Sequence, residues 1–467
     1  MHERLSALDA SFLYLEKPSV HMHVAGLAIL DPSTRSGGRL GEGDLARLIT
    51  ERIHLVPRFR QKAVVPPFGA GRPVWVDDGG FDMSFHLRRT ALPSPGGRRE
   101  LAEFVQRVHS RPLDRTKPLW EMYLIEGLED GYVAILSKSH HAMIDGISGM
   151  DIATVMFDFS PETQRVKPRP WDPEPPPSGG ELLVQALVDQ VAHPVQGLFD
   201  GATRVLRAPQ EALQQAGRVL GGLRSLMALG PAPPGPFNVP VGPNRRFAMA
   251  EVSVADAKTI KNALGGTVND VILAAVTGAL RALLLARGEA VKGLTLRAMV
   301  PVSTRDDAKQ TALGNQVSMF FLDLPIGLAD PARRLRRITA ATKELKSSQQ
   351  AVAATALMSS AQWAPPTLHG LAARLLARQR VVNLVVSNVP GPQVPLYLDG
   401  ARLLVAFPVM PLGEQMALSV AVTSLSGVMG FGFTTDWDTG TDIDELSDGL
   451  LQAFDELKKA AEAKASR

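Results

Sequence analysis

The stretch SKSHHAMIDGISGM, residues 137–150, joins a strand pattern to a helical pattern through a pair of histidines. The preceding segment, YVAIL, is apolar and predicts a buried strand that continues to the histidines. Because side chains alternate along a strand, we expect His140 and His141 to point to opposite faces. Glycines and the segment GMDIATVMFDF then predict a turn and a helix. The histidines thus lie at a strand-to-helix loop, a common position for catalytic groups.

Three interpretations of the histidine pair compete. Both rings could be structural residues at a domain edge. They could bind a metal ion with Asp145, but two rings on opposite faces converge poorly on one ion, so we expect no metal. Alternatively, one imidazole could be a general base, since its unperturbed pKa near 6.5 suits proton transfer around neutrality.

Composition narrows the class of protein. The 467 residues exceed the size at which one hydrophobic core usually stops growing, so two domains are expected. A hydrophobic content of 45% and a charged content of 21% are typical of a globular protein. The formal charge of +3 comes without a long basic tract, which argues against nucleic acid as a partner. The lack of cysteine excludes a disulfide scaffold, a cysteine-ligated metal and a cysteine nucleophile, and it fits a reducing cytoplasm.

Targeting segments are not indicated by the sequence. Glu3, Asp9 and Glu16 interrupt the region where a signal peptide would need an apolar run. The most apolar tract, residues 401–433, is broken by prolines, glycines and Glu414, so it should not span a bilayer. We therefore expect a cytoplasmic protein whose contact with membranes is peripheral.

Three segments differ in pattern. Residues 1–160 mix helix and strand patterns, and residues 245–467 do so again. Between them, residues 161–244 form a proline-rich linker with amphipathic helical stretches, which could pack across both domains or lie on lipid. The mixture predicts an α/β (α+β) fold with mixed or antiparallel sheets.

The motif HHAMIDG resembles the HHxxxDG motif of CoA-dependent acyltransferases with the chloramphenicol-acetyltransferase-like fold, a motif shared by peptide-synthetase condensation domains. Other segments select a narrower group, because nearly the whole chain resembles bacterial wax ester synthases/acyl-CoA:diacylglycerol acyltransferases. The segments that carry this likeness are LSALDASFLYLE, PLWEMYLIEGLEDGYVAILSKSHHAMIDGISGMDI, TVNDVILAAVTGALRALL, MVPVSTR, LGNQVS and NLVVSNVPGPQVPLYLDGARL.

This resemblance implies a fold and a reaction. The fold would be two chloramphenicol-acetyltransferase-like domains, each a mixed sheet flanked by helices, with an active-site tunnel at their interface. His141 would act as the general base that takes the acceptor hydroxyl proton during attack on the thioester of acyl-CoA, the co-substrate. No cofactor and no acyl-enzyme are required, and the lack of a GxSxG motif agrees with direct transfer.

The resemblance also assigns supporting roles around the motif. His140 would pack behind His141 and set the orientation of its ring. Asp145 would fix the loop by pairing with an arginine of another segment, for which Arg305 is the candidate. Gly146 would allow a tight backbone that a side chain would obstruct.

Further candidates lie in three other segments, and each has a purely structural alternative. Ser387 and Asn388 could donate hydrogen bonds to the oxyanion, or only end a strand before the turn Pro-Gly-Pro. Asn269 and Asp270 match the family's ND pair but could only cap a helix. Pro118 to Trp120 match the PLW motif near the site, which aromatic packing explains equally well.

The predicted activity is transfer of a long-chain fatty acyl group to the hydroxyl of diacylglycerol, of a long-chain alcohol, or of both. The alternatives are a condensation-type acyltransferase using carrier-bound thioesters and a non-catalytic lipid-droplet protein. The partners would be acyl-CoA, the acceptor and a membrane or lipid-droplet surface, with a homodimer as an option. Four arginines are candidates for contacting lipid or the CoA phosphates, or form a solvated face: Arg333, Arg334, Arg336 and Arg337.

Overall fold

Two mixed sheets organise the part of the chain that the structure, a computed structural model, describes. The described residues are 2–143, 155–188, 230–303, 317–347, 380–439 and 442–466. In spatial order the first sheet contains β11 (Tyr397–Leu398), β12 (Ala401–Val409), β1 (His23–Asp31), β6 (Val133–His140), β5 (Trp120–Glu126) and β4 (Leu87–Ala91). Its neighbouring strands are antiparallel except for β4 and β5.

The second sheet lies in the later part of the chain. In spatial order it contains β7 (Arg245–Ser253), β14 (Val428–Asp436), β13 (Leu418–Leu425), β10 (Leu384–Pro390), β8 (Leu296–Ser303) and β9 (Val317–Leu324). The central strand β10 runs parallel to both of its neighbours, whereas the outer pairs are antiparallel. Mixed sheets flanked by helices confirm the predicted α/β class.

Two strands of the first sheet come from the predicted 245–467 domain. The strand β12 pairs with β1 in antiparallel register, with Ala25 opposite Val409, and β11 follows at the edge. Without β12, the free edge of β1 would leave backbone groups that need hydrogen-bond partners. The division into 1–160, 161–244 and 245–467 stays a prediction, and the sheets do not follow it at these strands.

Glycines bring the two sheets into direct contact. A β-carbon at Gly430 would overlap the carbonyl oxygen of Ala406, and one at Gly432 would overlap that of Pro408. Only glycine allows β14 to pass so close to the backbone of β12. A cluster of buried side chains from both sheets, including Leu136, Phe247 and Phe407, continues this contact.

Helices and a small hairpin complete the described fold. The helices are α1 (Ala7–Leu15), α2 (Glu42–Arg52), α3 (Met83–His86), α4 (Arg98–His109), α5 (Gly179–Val188), α6 (Val254–Leu264), α7 (Val268–Ala286), α8 (Pro331–Ser347) and α9 (Ile443–Ala465). The hairpin pairs β2 (Gln61–Val64) with β3 (Val74–Asp77). Helix α7 is long and apolar enough to cross a membrane, but 72% of its most apolar window is buried inside the protein.

The arginine cluster of α8 is not a single exposed face. Arg333, Arg336 and Arg337 are exposed, but Arg334 is buried, and one of its nitrogens lies 3.7 Å from the Glu456 carboxylate of α9. Arg334 follows the helical spacing of the core residues Leu335 and Ile338, so it packs inward with them. A role in contacting lipid or CoA can therefore apply only to the other three.

Candidate active site

The strand β6 carries polar side chains into the interior. All eight of its residues are buried, including Lys138 and His140. The Lys138 ammonium donates hydrogen bonds to the carbonyls of Val108, at 2.9 Å, and Arg111, where α4 ends. These carbonyls lie at the negative end of the helix, which compensates the buried cation. Burial nevertheless lowers the pKa of Lys138 to about 8.

The end of β6 is fixed from both sides. The backbone N–H of His140 donates to the carbonyl of Leu119 at 2.9 Å, and that of His141 donates to Met22 at 2.8 Å. A short 3₁₀ turn, His141–Met143, then ends the strand. Both histidines therefore occupy defined backbone positions before their side chains are considered.

His140 braces this turn through its ring. Its Nδ1 accepts a hydrogen bond of 3.0 Å from the backbone N–H of Ala142. Burial lowers the pKa of His140 to about 3, so the ring is neutral at pH 7. Because Nδ1 accepts, the single proton of the neutral ring lies on Nε2, which is 3.7 Å from Oε1 of Glu16. This separation is too long for a hydrogen bond, but it leaves the N–H dipole close to the carboxylate.

The Glu16 carboxylate, which sequence reasoning did not assign to the site, lies near His140, His23 and Arg115. Its Oε1 lies 3.3 Å from Nε2 of His23, and its Oε2 lies 2.6 Å from the Arg115 guanidinium. His23 is opposite His140 in the β1–β6 pair, and their rings meet edge to face at 5.9 Å. The available signal was the segment LSALDASFLYLE, in which Glu16 is the last residue.

His141 has different neighbours. Its ring stacks on Phe12 of α1 with centroids 3.9 Å apart and an interplanar angle of 23°. The residue is half-buried, in contrast to the fully buried His140. Burial lowers the pKa of His141 below its usual value, and its own backbone carbonyl partly offsets this. The ring is therefore neutral at pH 7 and can accept a proton.

The candidate residues of β10 and of the first turn of α7 form another group. Nδ2 of Asn388 lies 3.3 Å from Oδ1 of Asn269, while Ser387 and Asn388 are half-buried where β10 leaves the core. Asp270 forms a capping box with Thr267, and its other oxygen accepts a hydrogen bond of 2.7 Å from Thr342. Asp270 thus caps α7, the structural alternative given above.

A small cavity lies beside Asn269 and Asp270. Its volume of about 20 Å³ suffices for one water molecule, and Leu273, Val300 and Phe320 contribute to its apolar wall. All of its lining residues belong to the second sheet and its helices. The tunnel expected between the domains stays a prediction.

The PLW segment packs beside the histidines. The carbonyl of Pro118 accepts a hydrogen bond from the Trp120 N–H at 2.8 Å, and Leu119 holds His140 as described. The Trp120 ring is buried, donates from Nε1 to the Phe59 carbonyl at 2.8 Å and stacks on His86 at 4.5 Å. The indole is therefore a core residue whose backbone neighbour supports the site.

Comparisons with known proteins agree with one another. The chain matches the wax ester synthase/diacylglycerol acyltransferase (WS/DGAT) catalytic domain over residues 5–272 and the WS/DGAT C-terminal domain over 313–458. A putative diacylglycerol O-acyltransferase of Mycobacterium tuberculosis (strain ATCC 25618 / H37Rv) is 36% identical, with 98% of this chain and 91% of that protein covered. The chain belongs to the WS/DGAT family. The probable diacylglycerol O-acyltransferase tgs1 of the same strain is 34% identical, with coverages of 97% and 95%.

Solved structures support the same assignment. The WS/DGAT enzyme from Marinobacter aquaeolei VT8 is similar, with a TM-score of 0.70 and 30% identity over 98% of this chain and 99% of that chain. The starter condensation domain of rhizomide synthetase has a TM-score of 0.56 at 16% identity, so it shares the fold alone. The predicted family is confirmed, and the chain is an acyltransferase.

Within the segment HHAMIDG, the structure describes His140 to Met143 but not the last three residues. Asp145, Gly146 and the proposed partner Arg305 lie outside the described residues. The described contacts distinguish the two rings, because His140 hydrogen-bonds the turn while His141 stacks on Phe12 and is half-buried. The assignment of the base to His141 stays a prediction.

Proposed function

We propose that this WS/DGAT enzyme transfers a long-chain fatty acyl group from acyl-CoA to the hydroxyl of diacylglycerol, and that long-chain fatty alcohols are alternative acceptors. The observation that carries the proposal is the neutral, half-buried imidazole of His141 at the fixed end of β6. The names of the relatives, diacylglycerol O-acyltransferase and wax ester synthase, supply the two acceptor classes.

The proposed reaction is a direct transfer with His141 as the base. The imidazole takes the proton of the acceptor hydroxyl while the oxygen attacks the thioester carbonyl carbon. The resulting tetrahedral intermediate breaks its C–S bond, and the imidazolium returns the proton to the thiolate of CoA. Thiols near pKa 8.5 leave readily, so one imidazole suffices and no further cofactor is needed. A base in this position contributes about 10² to 10⁴ in rate.

Other residues have supporting roles in this proposal. His140 holds the turn that presents His141 through its bond to Ala142. Asn388 and Ser387, at the end of β10, are the candidate donors to the oxyanion, and Asn269 orients the Asn388 amide. Asp145 with Arg305, and Gly146, would shape the loop after the histidines. A further part of the proposal is that the protein works in the cytoplasm at a lipid surface. Long-chain substrates collect in lipid, because burying each CH₂ away from water is worth about 0.8 kcal/mol.

The test is the release of free CoA thiol by the purified protein without any carrier protein. Palmitoyl-CoA is supplied with dioleoylglycerol or with hexadecanol in parallel assays, and the ester products are identified. We expect release with both acceptors and a loss of about 10² to 10⁴ in kcat for H141A. The control is H54A, which removes another half-buried histidine outside the site and should retain activity.

Three results would contradict this proposal. Near-normal turnover by folded H141A would show that His141 is not the general base. A strict requirement for a carrier-bound acyl donor would favour the condensation-type reaction. If no ester formed with either acceptor, a lipid-binding protein would be favoured.

A further inference from the structure

The carboxylate of Glu16 is held beside the histidine pair by groups other than the histidines. Glu16 is the C-terminal cap of α1, and its side chain is only 13% exposed. The Arg115 guanidinium lies 2.6 Å from Oε2 of Glu16, and it also donates a hydrogen bond of 2.9 Å to the Leu13 carbonyl. The next residue, Lys17, donates a hydrogen bond of 2.6 Å to the Glu414 carboxylate. The chain around Glu16 is therefore fixed on both sides.

The other oxygen of Glu16, Oε1, faces two imidazoles. It lies 3.3 Å from Nε2 of His23 and 3.7 Å from Nε2 of His140. The backbone N–H of Leu113 donates to Nε2 of His23 at 3.4 Å, so the proton of this neutral ring lies on Nδ1. His140 has the opposite arrangement, because its Nδ1 accepts from Ala142. Of the two rings, His140 is therefore the one that directs an N–H toward the carboxylate.

The Nε2–H group of His140 has an electrostatic need for this carboxylate. The His140 side chain is 1% exposed, and among the described residues its Nε2 has no hydrogen-bond partner. A buried donor without a partner is costly, and a negative charge at 3.7 Å offsets part of that cost. Burial lowers the pKa of His140, and the charge of Glu16 is the largest effect that opposes this lowering.

The tautomer of His140 determines whether the turn after β6 is held in place. With the proton on Nε2, Nδ1 can accept the Ala142 N–H at 3.0 Å. With the proton on Nδ1, two N–H groups would face each other and this hydrogen bond would be lost. Because the turn begins at His141, its displacement would also displace the proposed base.

We propose that Glu16 is a positioning residue for acyl transfer. Its carboxylate keeps the proton of His140 on Nε2, and His140 then holds the turn that presents His141. This inference rests on the proposed function, because it takes His141 as the base. Glu16 contacts neither substrate in this mechanism, so its effect on turnover passes through the ring of His140.

A purely structural role of Glu16 would act through α1 instead. The contact with Arg115 helps to hold α1, and Phe12 of α1 stacks on His141 with ring centroids 3.9 Å apart. By this route, loss of Glu16 would disturb the base whether or not His140 is present. The two routes therefore predict different results when His140 is replaced.

The experiment combines substitutions at the two positions in a double-mutant cycle. E16L removes the carboxylate at similar size, E16Q keeps an amide oxygen, and H140N and E16L/H140N complete the cycle. The matched control is E414L, since Glu414 is also largely buried and its carboxylate lies 2.6 Å from a cation, Lys17. Steady-state CoA release with palmitoyl-CoA and dioleoylglycerol gives kcat and KM, and urea unfolding gives stability.

A spectroscopic measurement reports the tautomer without turnover. The ring-nitrogen chemical shifts of isotope-labelled histidine distinguish the two tautomers, and the His140 signals are identified by their absence in H140N. We expect one tautomer of His140 in wild type, with the proton on Nε2, and a mixture of both tautomers in E16L. The tautomer of His140 should be unchanged in E414L.

The kinetic expectations follow from the same mechanism. E16L should lower kcat by about tenfold with KM within about twofold, and E414L should have the kcat of wild type. E16Q should lower kcat by about threefold, because its amide oxygen still faces the Nε2–H of His140, and E16Q replaces E16L in the cycle if E16L does not fold. In the H140N background, loss of the Glu16 carboxylate should change kcat by less than about twofold.

Four results would overturn the role of Glu16. They are a wild-type kcat in E16L, an equal loss of kcat from E16L with and without His140, an unchanged His140 tautomer in E16L, and a tautomer change at His23 alone. The second result would assign Glu16 to the support of α1.

Failure of the proposed function would be recognised separately. If folded H141A turned over normally, the base would lie elsewhere, but the His140 tautomers of wild type and E16L would still be measured. Conversely, an inactive H141A together with a fully active E16L would contradict the role of Glu16 and leave the proposed reaction intact.

Discussion

The strands β6 and β10 are both internal strands of six-stranded sheets, but their ends differ in chemistry. The strand β6 is buried throughout and delivers a half-buried histidine from a buried group of titratable residues. The strand β10 passes from buried Leu384 to half-buried Ser387 and Asn388, none of which titrates near neutrality. We infer a division of labour in which β6 supplies proton transfer and β10 supplies fixed hydrogen-bond donors.

After H141A, substitutions at the end of β10 should lower kcat the most. If Asn388 donates to the oxyanion, N388A should lower kcat by about 10² with little change in KM. N269A, which removes only the 3.3 Å partner of Asn388, should cost about tenfold. Steady-state kinetics and thermal unfolding of N388A, N269A and S387A measure kcat, KM and stability. A drop in stability with unchanged kcat for N388A would indicate that β10 only ends in a turn.

Loss of the hydrogen bond between His140 and the Ala142 N–H should have the next largest effect on kcat. H140A leaves the Ala142 N–H without its acceptor and should lower kcat by about tenfold through misplacement of His141. In H140N the amide oxygen can replace Nδ1 as the acceptor, so most of the activity should return. Kinetics of the two variants provide the test. Equal loss in H140A and H140N would assign His140 a role other than this hydrogen bond.

The sequence predicted what depends on local pattern. The strand before the histidines and the α/β class follow from periodicity and alternation, which are local properties. The family resemblance then directed attention to His141, which local pattern alone left among three interpretations. Asp145, Gly146 and Arg305 stay predictions because the structure does not describe them.

What the sequence did not predict depends on tertiary packing. No local signal tells that β12 pairs with β1 about 380 residues away, since an apolar strand fits either sheet. Glu16 follows a helix end and looks like a surface residue until Arg115, His23 and His140 are placed around it. Arg334 shares a face of α8 with the core residues Leu335 and Ile338, but an arginine is rarely buried, and only the tertiary fold brings Glu456 of α9 near its guanidinium.

The buried histidines near β6 should make the free energy of unfolding depend on pH in the acid range. The folded pKa values of His140, about 3, and of His23 and His109 lie below the unfolded value near 6.5 because of burial. Their neutral rings therefore stabilise the fold fully above pH 6.5, and this contribution is lost as the pH falls toward the folded pKa values. A single histidine that is protonated only in the unfolded state contributes at most about 1.4 kcal/mol per pH unit.

Urea unfolding of wild type and H140N at pH 6.5 and pH 5 measures this slope. The free energy of unfolding should fall more steeply in wild type, with a difference close to one proton. The groups facing His140 are Glu16, His23, Arg115 and His141, and the substitution leaves all four in place. An unchanged slope would mean that His140 is protonated in the folded state above pH 5.

The smallest effect on turnover is expected at Trp120, which adjoins the β6 end without presenting a group to it. W120F keeps an aromatic ring against His86 but removes the Nε1 donor to the Phe59 carbonyl, a buried hydrogen bond of 2.8 Å. The free energy of unfolding should fall by about 1 to 2 kcal/mol, and kcat should stay within about twofold of wild type. Urea unfolding and the CoA-release assay measure the two quantities on the same sample. If kcat instead fell by about tenfold or more at unchanged stability, the indole would act on the substrate, and proton transfer at the β6 end would depend on more than its backbone hydrogen bonds and the ring of His140.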